Sequence, residues 1–327
     1  MLDRRKFLAQ GAKASIAGLF LTKGFAAPGS LLSDASPLLT NIGINLFSLP
    51  KLLEADVASS FKMLSSMGYK EIELYGPYSF STEKAKASWA AVSDLVGFKG
   101  SGFFGQNIQE IKGLLNDNGL ITPSIHTDLD TLSTNMGALG EAAQTLANTY
   151  VVLPSIPEDK RKTLDDYKRM AEQFNKIGAE AKANGIKFAY HNHGYGLSKM
   201  EGQIPLDIIF KNTDPGLVFF EMDLYWTTAG GADPIQLLKT HKDRYRLMHV
   251  KDMKQKVHFS GDGGSPKQWT ELWDFMTTAG DGVLDLKNII STAKANGVKH
   301  FVVEQDIVKS PEIALKRSHD YLAALTK

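Results

Sequence analysis

The sequence predicts an α/β protein whose parallel strands close into a single-domain (β/α)8 TIM barrel. Three observations carry that prediction. Short apolar runs alternate with helical stretches from Leu39 to the C-terminus. Residues 217–226 and 245–253 are two such runs, separated by a helical segment that Asp233-Pro234 opens, an order that requires parallel pairing. The first run carries one glycine, Gly43, where an open doubly wound sheet would place a Gly-rich turn.

Each element follows from local pattern. Residues 40–49 (TNIGINLFSL) form the first strand. Residues 56–67 are amphipathic, with Val57, Phe61 and Leu64 at helical spacing and Gly68 as the stop. Residues 69–76 alternate Ile72 and Leu74 with Glu71 and Glu73, the period of a strand. A helix over 107–118 stops at Gly119, and 120–129 is the third strand, with His126 near its end. A helix over 136–147 leads to the fourth strand, 149–156, and the long helix 164–184 stops at Gly185. The fifth strand, 186–196, ends in His191-Asn192-His193; the sixth and seventh are 217–226 and 245–253. A helix over 286–296 stops at Gly297, and the eighth strand, 298–306, ends near Glu304. Trp89 falls in a helix and is read as packing, and residues 261–264 form a glycine loop placed to lie over the strand ends.

Composition narrows the chemistry. The chain has 327 residues, a formal net charge of +1 and no cysteine. A net charge this small offers no basic field for a polyanion, so nucleic acid is disfavoured as a partner and an uncharged or weakly charged small molecule is expected. Without thiolates, any metal is held by nitrogen and oxygen. Residues 1–27 read as a twin-arginine-type export signal: Arg4-Arg5, an apolar run at 14–21, then Gly24-Phe25-Ala26-Ala27 before Pro28. That run is too short for a permanent membrane anchor. Residues 28–38 read as a linker and 39–327 as the barrel, with the periplasm or another exported location expected. Outer helix faces leave an oligomer open.

Four strand-end residues then stand out: His191, Asp223, His249 and Glu304. In a closed barrel the strands that carry them are consecutive staves, whose C-terminal ends face one cup. Two imidazoles and two carboxylates suit Mn, Co or Zn, and Mg less well. His193 stands as an alternative ligand to His191. Lys251 lies two residues beyond His249 on the same face and is placed to stabilise a developing oxyanion. Glu73 and His126 end the second and third strands, as a hydrogen-bonding partner for substrate and an acid/base respectively. Trp226 is a candidate to stack on an apolar substrate face.

The residues Tyr190-His191-Asn192-His193, 220–226 (FEMDLYW), 249–253 (HVKDM) and Val303-Glu304-Gln305-Asp306 resemble those of the xylose-isomerase-like barrel superfamily, whose members are often sugar phosphate isomerases or epimerases. The resemblance implies one divalent metal, usually Mn, on His191, Asp223, His249 and Glu304, with Glu304, His126 and Lys251 as catalytic groups. Glu73, Asn192, His193, Trp226 and Lys251 fall at substrate-binding positions. Many isomerases of the superfamily carry glutamate where His191 stands, and move a proton between two such glutamates. Here Glu304 alone fills that kind of position, which shifts the expectation from a two-base epimerase towards one-base chemistry, including β-elimination from a 3-oxo-glycoside. A non-catalytic sugar-binding barrel is the reading from another class.

Overall fold

Parallel strands buried on both faces need a helix layer outside and side-chain layers inside, and the computed structural model of the chain has both. It describes residues 36–306 and 308–327; the export signal expected over 1–27 lies outside the described residues. In chain order the strands are β1 (Gly43–Asn45), β2 (Glu71–Tyr75), β3 (Ile121–His126), β4 (Tyr150–Leu153), β5 (Lys187–His191), β6 (Val218–Asp223), β7 (Tyr245–Val250), β8 (Asp252–Met253), β9 (Met276–Thr277) and β10 (His300–Val303). Eight of them close a parallel barrel in the order β1-β10-β7-β6-β5-β4-β3-β2, while β8 and β9 pair antiparallel beside it.

Alternation along the staves divides the core. Phe188 and Tyr190 on β5, with Phe220 and Met222 on β6, join the large cluster shared with the outer helices. Tyr150, Val152, Ala189 and Leu247 form a separate small cluster, the apolar layer of the opposite face. Above that layer, at the C-terminal ends, the inward positions turn polar. The pairing brings His191 beside Glu221, and Asp223 beside His249. Register shifts fall between Glu71 and Glu73 and between Phe220 and Glu221. Irregularities of this kind re-aim the side chains that follow them.

The long helices start and stop as the sequence predicts. Asp56 caps Val57–Met67 by accepting from the Ser59 amide, and Gly68 ends it at φ 108°. Asn107 and Glu110 form a reciprocal cap on Ile108–Asp117. The strand ends differ from expectation. The run 217–226 leaves the sheet at Asp223, because the Asp223 carboxylate accepts from the Trp226 amide and starts the helix Leu224–Ala229. The run 245–253 breaks after Val250, and its end pairs with β9. Residues 36–38, expected in a linker, belong to the barrel: the Leu38 amide donates to the Leu325 carbonyl at 2.7 Å, and Leu38 is buried.

The helix Leu164–Ala183 packs backbone to backbone on the start of β6. A Cβ on Gly178 would stand 2.5 Å from the Leu217 carbonyl oxygen, whereas a Cβ on Gly113, in Ile108–Asp117, meets nothing within 4 Å. Gly178→Ala is expected to destabilise the fold by about 1–3 kcal/mol through overpacking. Gly113→Ala is expected to stabilise it by roughly 0.5–1 kcal/mol. Urea midpoints of the two variants check both signs.

Candidate metal centre and active site

The polar floor of the barrel mouth has two levels. On the lower level, Glu73 and Glu221 are fully buried. Glu73 accepts from Asn45 Nδ2 at 2.8 Å and from Ser124 Oγ at 2.5 Å, and its Oε2 lies 2.5 Å from His249 Nε2. Glu221 Oε2 lies 2.9 Å from His191 Nδ1 and 2.8 Å from His126 Nε2. A carboxylate only accepts, so each of these imidazole nitrogens carries a proton. The remaining nitrogens of His191 and His249 then point to the upper level. His191 Nε2 is 3.7 Å from Asp223 Oδ2, and His249 Nδ1 is 3.9 Å from Asp223 Oδ2 and 2.8 Å from Glu304 Oε2. A buried carboxylate on one nitrogen and an open donor cluster at the other is how metal-binding histidines are commonly oriented.

Charge balance says what this cluster fits. Glu73, Glu221, Asp223, Glu304 and Asp306 are all buried or nearly so, and the ammonium among them is that of Lys251. Lys251 Nζ stands 3.1 Å from Asp223, 2.5 Å from Glu304 and 2.9 Å from Asp306. Two buried carboxylate oxygens, Glu221 Oε1 and Asp223 Oδ2, have no hydrogen-bond donor. Buried anions without partners are costly. With nothing but protons to compensate, the histidines take them up. Burial opposes the charge on His126, but Glu73 and Glu221 outweigh it and push His126 up to about 10. His249 is likewise raised, against burial, by Glu221, Glu304 and Glu73. His191 goes the other way: burial and the neighbouring imidazoles hold it well below its usual range, in the neutral form that ligates metals. Burial pushes Asp223 up, and it pushes Asp306 up to about 7 despite Lys251. A divalent cation resolves the same excess of negative charge, and a donor set of imidazole and carboxylate suits one. Two groups bring ligand atoms within 4.8 Å of one another, His126/His191/Glu221/His249 and Asp223/His249/Glu304. Of the upper level, His191, His249 and Glu304 open onto a cavity of about 450 Å³; Glu73 and Glu221 lie outside its lining.

The structure brings His191, Asp223, His249 and Glu304 together as the sequence predicts, and seats His126 beside them on the cavity wall. His193 stands beside His191, with ring centroids 4.7 Å apart, and also lines the cavity. Its Nδ1 lies 2.5 Å from the Pro154 carbonyl, which can only accept, so Nε2 holds the lone pair; burial keeps the ring neutral, down to about 3. Among the described residues, the clustered ligand atoms include those of His191 and not those of His193. Glu73 and Asn192, expected on the substrate, are placed elsewhere: Glu73 holds His249 and His126 from below, and Asn192 donates to Thr227 Oγ1 at 3.3 Å. Lys251 is buried among three carboxylates and does not line the cavity. Trp226 does line the cavity, stacked on Phe259 at 5.6 Å. Glu221 went unassigned in the sequence reading, although it sits two residues before Asp223 and therefore on the same face. Trp89, read as packing, lines the cavity. The glycine loop is fastened by Arg161, which donates to the Gly264 carbonyl at 2.6 Å, and it leads into the helix Pro266–Leu272, whose Trp269 stands 5.3 Å from the His193 ring.

A family model described as xylose isomerase-like TIM barrel matches residues 61–325. The chain belongs to this family. An inosose dehydratase from Clostridium tetani is 31% identical to this xylose isomerase-like barrel over 150 residues, 44% of this chain and 49% of that protein. The chain thus spans about half the length of the curated relatives it matches. Among solved structures, a sugar phosphate isomerase/epimerase from Parabacteroides distasonis has a TM-score of 0.69 at 23% identity, covering 92% of this chain and 98% of that one. The IolI protein with a bound zinc atom has a TM-score of 0.60 at 14% identity, covering 86% and 95%.

Asp223 serves two ends, cap and cluster, and a substitution separates them. Asp223→Asn keeps the helix cap, since Asn caps as well as Asp, and is expected to cost under about 1 kcal/mol of fold stability while weakening Mn or Zn binding roughly 10–100-fold or more. Asp223→Ala is expected to lose the cap as well, by about 1 kcal/mol further. Thermal melts of the metal-free variants and metal titrations separate the two effects. Because His249 is raised and so protonated at neutral pH in the cation-free cluster, loading must expel its proton. Affinity is expected to rise with pH and fall on acidification, with proton release seen as buffer-dependent heats in titration calorimetry.

Proposed function

We propose that the chain is a metal-dependent enzyme that moves a proton next to the carbonyl of an uncharged sugar or sugar derivative. The convergence of His191, Asp223, His249 and Glu304 at the floor of a cavity, with an excess of buried carboxylates over the single Lys251 ammonium among them, carries this reading. These four residues would hold a divalent ion, Mn first, with Co, Zn or Mg as alternatives. Bound there, the ion supplies Lewis acidity that acidifies the C–H beside a carbonyl.

The chain's own groups divide the remaining work. Glu304 opens onto the cavity and stays ionised, because Lys251 and His249 outweigh the effect of its burial; it is the base that takes the carbon-bound proton. His126, held by Glu221 and Glu73, keeps a proton to return to the adjacent oxygen or to a departing group. Lys251 offsets negative charge from beneath the floor. Tryptophan and proline side chains around the mouth exclude water from the exchange.

Returning the proton to carbon gives isomerisation or epimerisation. Loss of a substituent from the β-carbon, as from a 3-oxo-glycoside, is the second reading. It is favoured by the imidazole of His191 in place of a second glutamate base and by the dehydratase relatives. Export through residues 1–27, itself a proposal, suits substrates without phosphate.

Proton NMR in D2O tests the reading. Metal-loaded protein is expected to exchange deuterium into the carbon next to the carbonyl of a ketose or a 3-oxo-glycoside, with release of the aglycone if elimination follows. Chelation is expected to abolish the exchange and Mn to restore it, and Glu304→Gln to lower kcat by about 10²-fold or more. Full activity in metal-free protein would rule the mechanism out. Sugar affinity without exchange on any substrate would leave a binding barrel.

A further inference from the structure

All four tryptophans of the chain, Trp89, Trp226, Trp269 and Trp273, line the cavity above the proposed catalytic floor. Tryptophan is the scarcest aromatic here, and chance packing would scatter it. The helix Glu83–Val96 turns Ala85, Ser88, Trp89, Val92 and Val96 to the same cavity. Those spacings of three, four, seven and eleven mark one helical face. That face is left open: Val92 is 43% exposed, one of few large hydrophobics exposed among the described residues. Trp89 is held in place by its indole donating to the Lys99 carbonyl at 2.7 Å, and Trp269 by donating to the Gly263 carbonyl at 2.8 Å. Their ring faces, not their N–H groups, are what remains for a ligand.

Most of the ionisable groups of the cavity lie apart from this wall. His126, His191, His249, Glu304 and Asp306 gather at the floor. Among the described residues, no lysine or arginine lines the cavity, whereas Asp128, Glu304 and Asp306 do. Away from the floor a phosphate ester would find no lysine or arginine to pair with. The volume of about 450 Å³ falls in the range of roughly 300–1,000 Å³ that holds drug-sized ligands, so a single sugar ring engaged at the floor leaves the aromatic wall uncovered.

We infer that the substrate is an uncharged glycoside with two rings: the reacting sugar lies at the floor, and a second ring lies flat against the wall formed by Trp269, Trp89 and Val92. This rests on the floor being the reacting end, as proposed above. The second ring is recognised by its apolar face, which an aryl aglycone and a pyranose both present.

Calorimetric and tryptophan-fluorescence titrations of the metal-loaded protein test it, with phenyl β-glucoside, cellobiose, glucose and glucose 6-phosphate as probes. The two-ring probes are expected to bind about tenfold tighter than glucose, as one or two aromatic stacking contacts provide, and glucose 6-phosphate no tighter than glucose. The stronger of the two-ring probes identifies the second ring as aryl or sugar. Trp269→Ala is expected to cut the preference to within about threefold, as is Val92→Glu, a change at an exposed position that the fold tolerates. Equal binding of glucose and both glycosides, tightest binding of the phosphate ester, or a preference that survives both substitutions would overturn the inference. Because the titration needs no turnover, a protein that shows the preference but exchanges no proton fails the catalytic reading alone. One that exchanges protons without the preference fails this inference alone.

Discussion

The arrangement at the barrel mouth depends on one electrostatic constraint: several carboxylates share a volume from which water is nearly excluded, with a single ammonium among them. Coulomb repulsion in that setting is several-fold stronger than in water, so the group is tolerable only with added positive charge. Protons on His126 and His249 are one source and a divalent cation is another. The two compete for the same lone pairs, which makes the protonation state of this floor and its affinity for metal a single equilibrium.

The lower level makes that competition orderly. Glu73 is fixed by Asn45 and Ser124 before it meets His249. Glu221 does the same for His191 while also holding His126. Each imidazole is therefore turned by a carboxylate it cannot displace, and its second nitrogen is aimed at Asp223 and Glu304. Asp223 adds an economy of its own. One oxygen ends β6 by capping Leu224–Ala229, and the other faces Lys251 and the two histidines of the site. A helix start and a candidate ligand are thus the same residue, which ties the position of the site to the position of the helix.

The aromatic lining of the cavity sits on different elements from the floor. The staves hold the charged groups on rigid backbone, while the Glu83–Val96 and Pro266–Leu272 helices and the Arg161-anchored loop supply the aromatic walls. Barrels of this kind vary specificity through what surrounds the mouth while the strand ends keep their chemistry.

Local pattern was enough for the alternation of strands and helices, the caps of the long helices, and the candidate quartet, because period, capping chemistry and strand-end position are all properties of neighbours in sequence. It was not enough for Glu73, Glu221, Asn192 or Lys251. Whether a strand-end carboxylate meets solvent, a sugar or a histidine depends on which stave closes beside it, and on register shifts such as those before Glu73 and Glu221 that no single strand encodes. The same holds for the orientation of His193, whose Nδ1 meets the Pro154 carbonyl. Tryptophans at positions 89, 226, 269 and 273 are unremarkable in the linear chain; only closure of the barrel sets them round one opening, since it is the joining of β1 to β10 that makes distant loops neighbours.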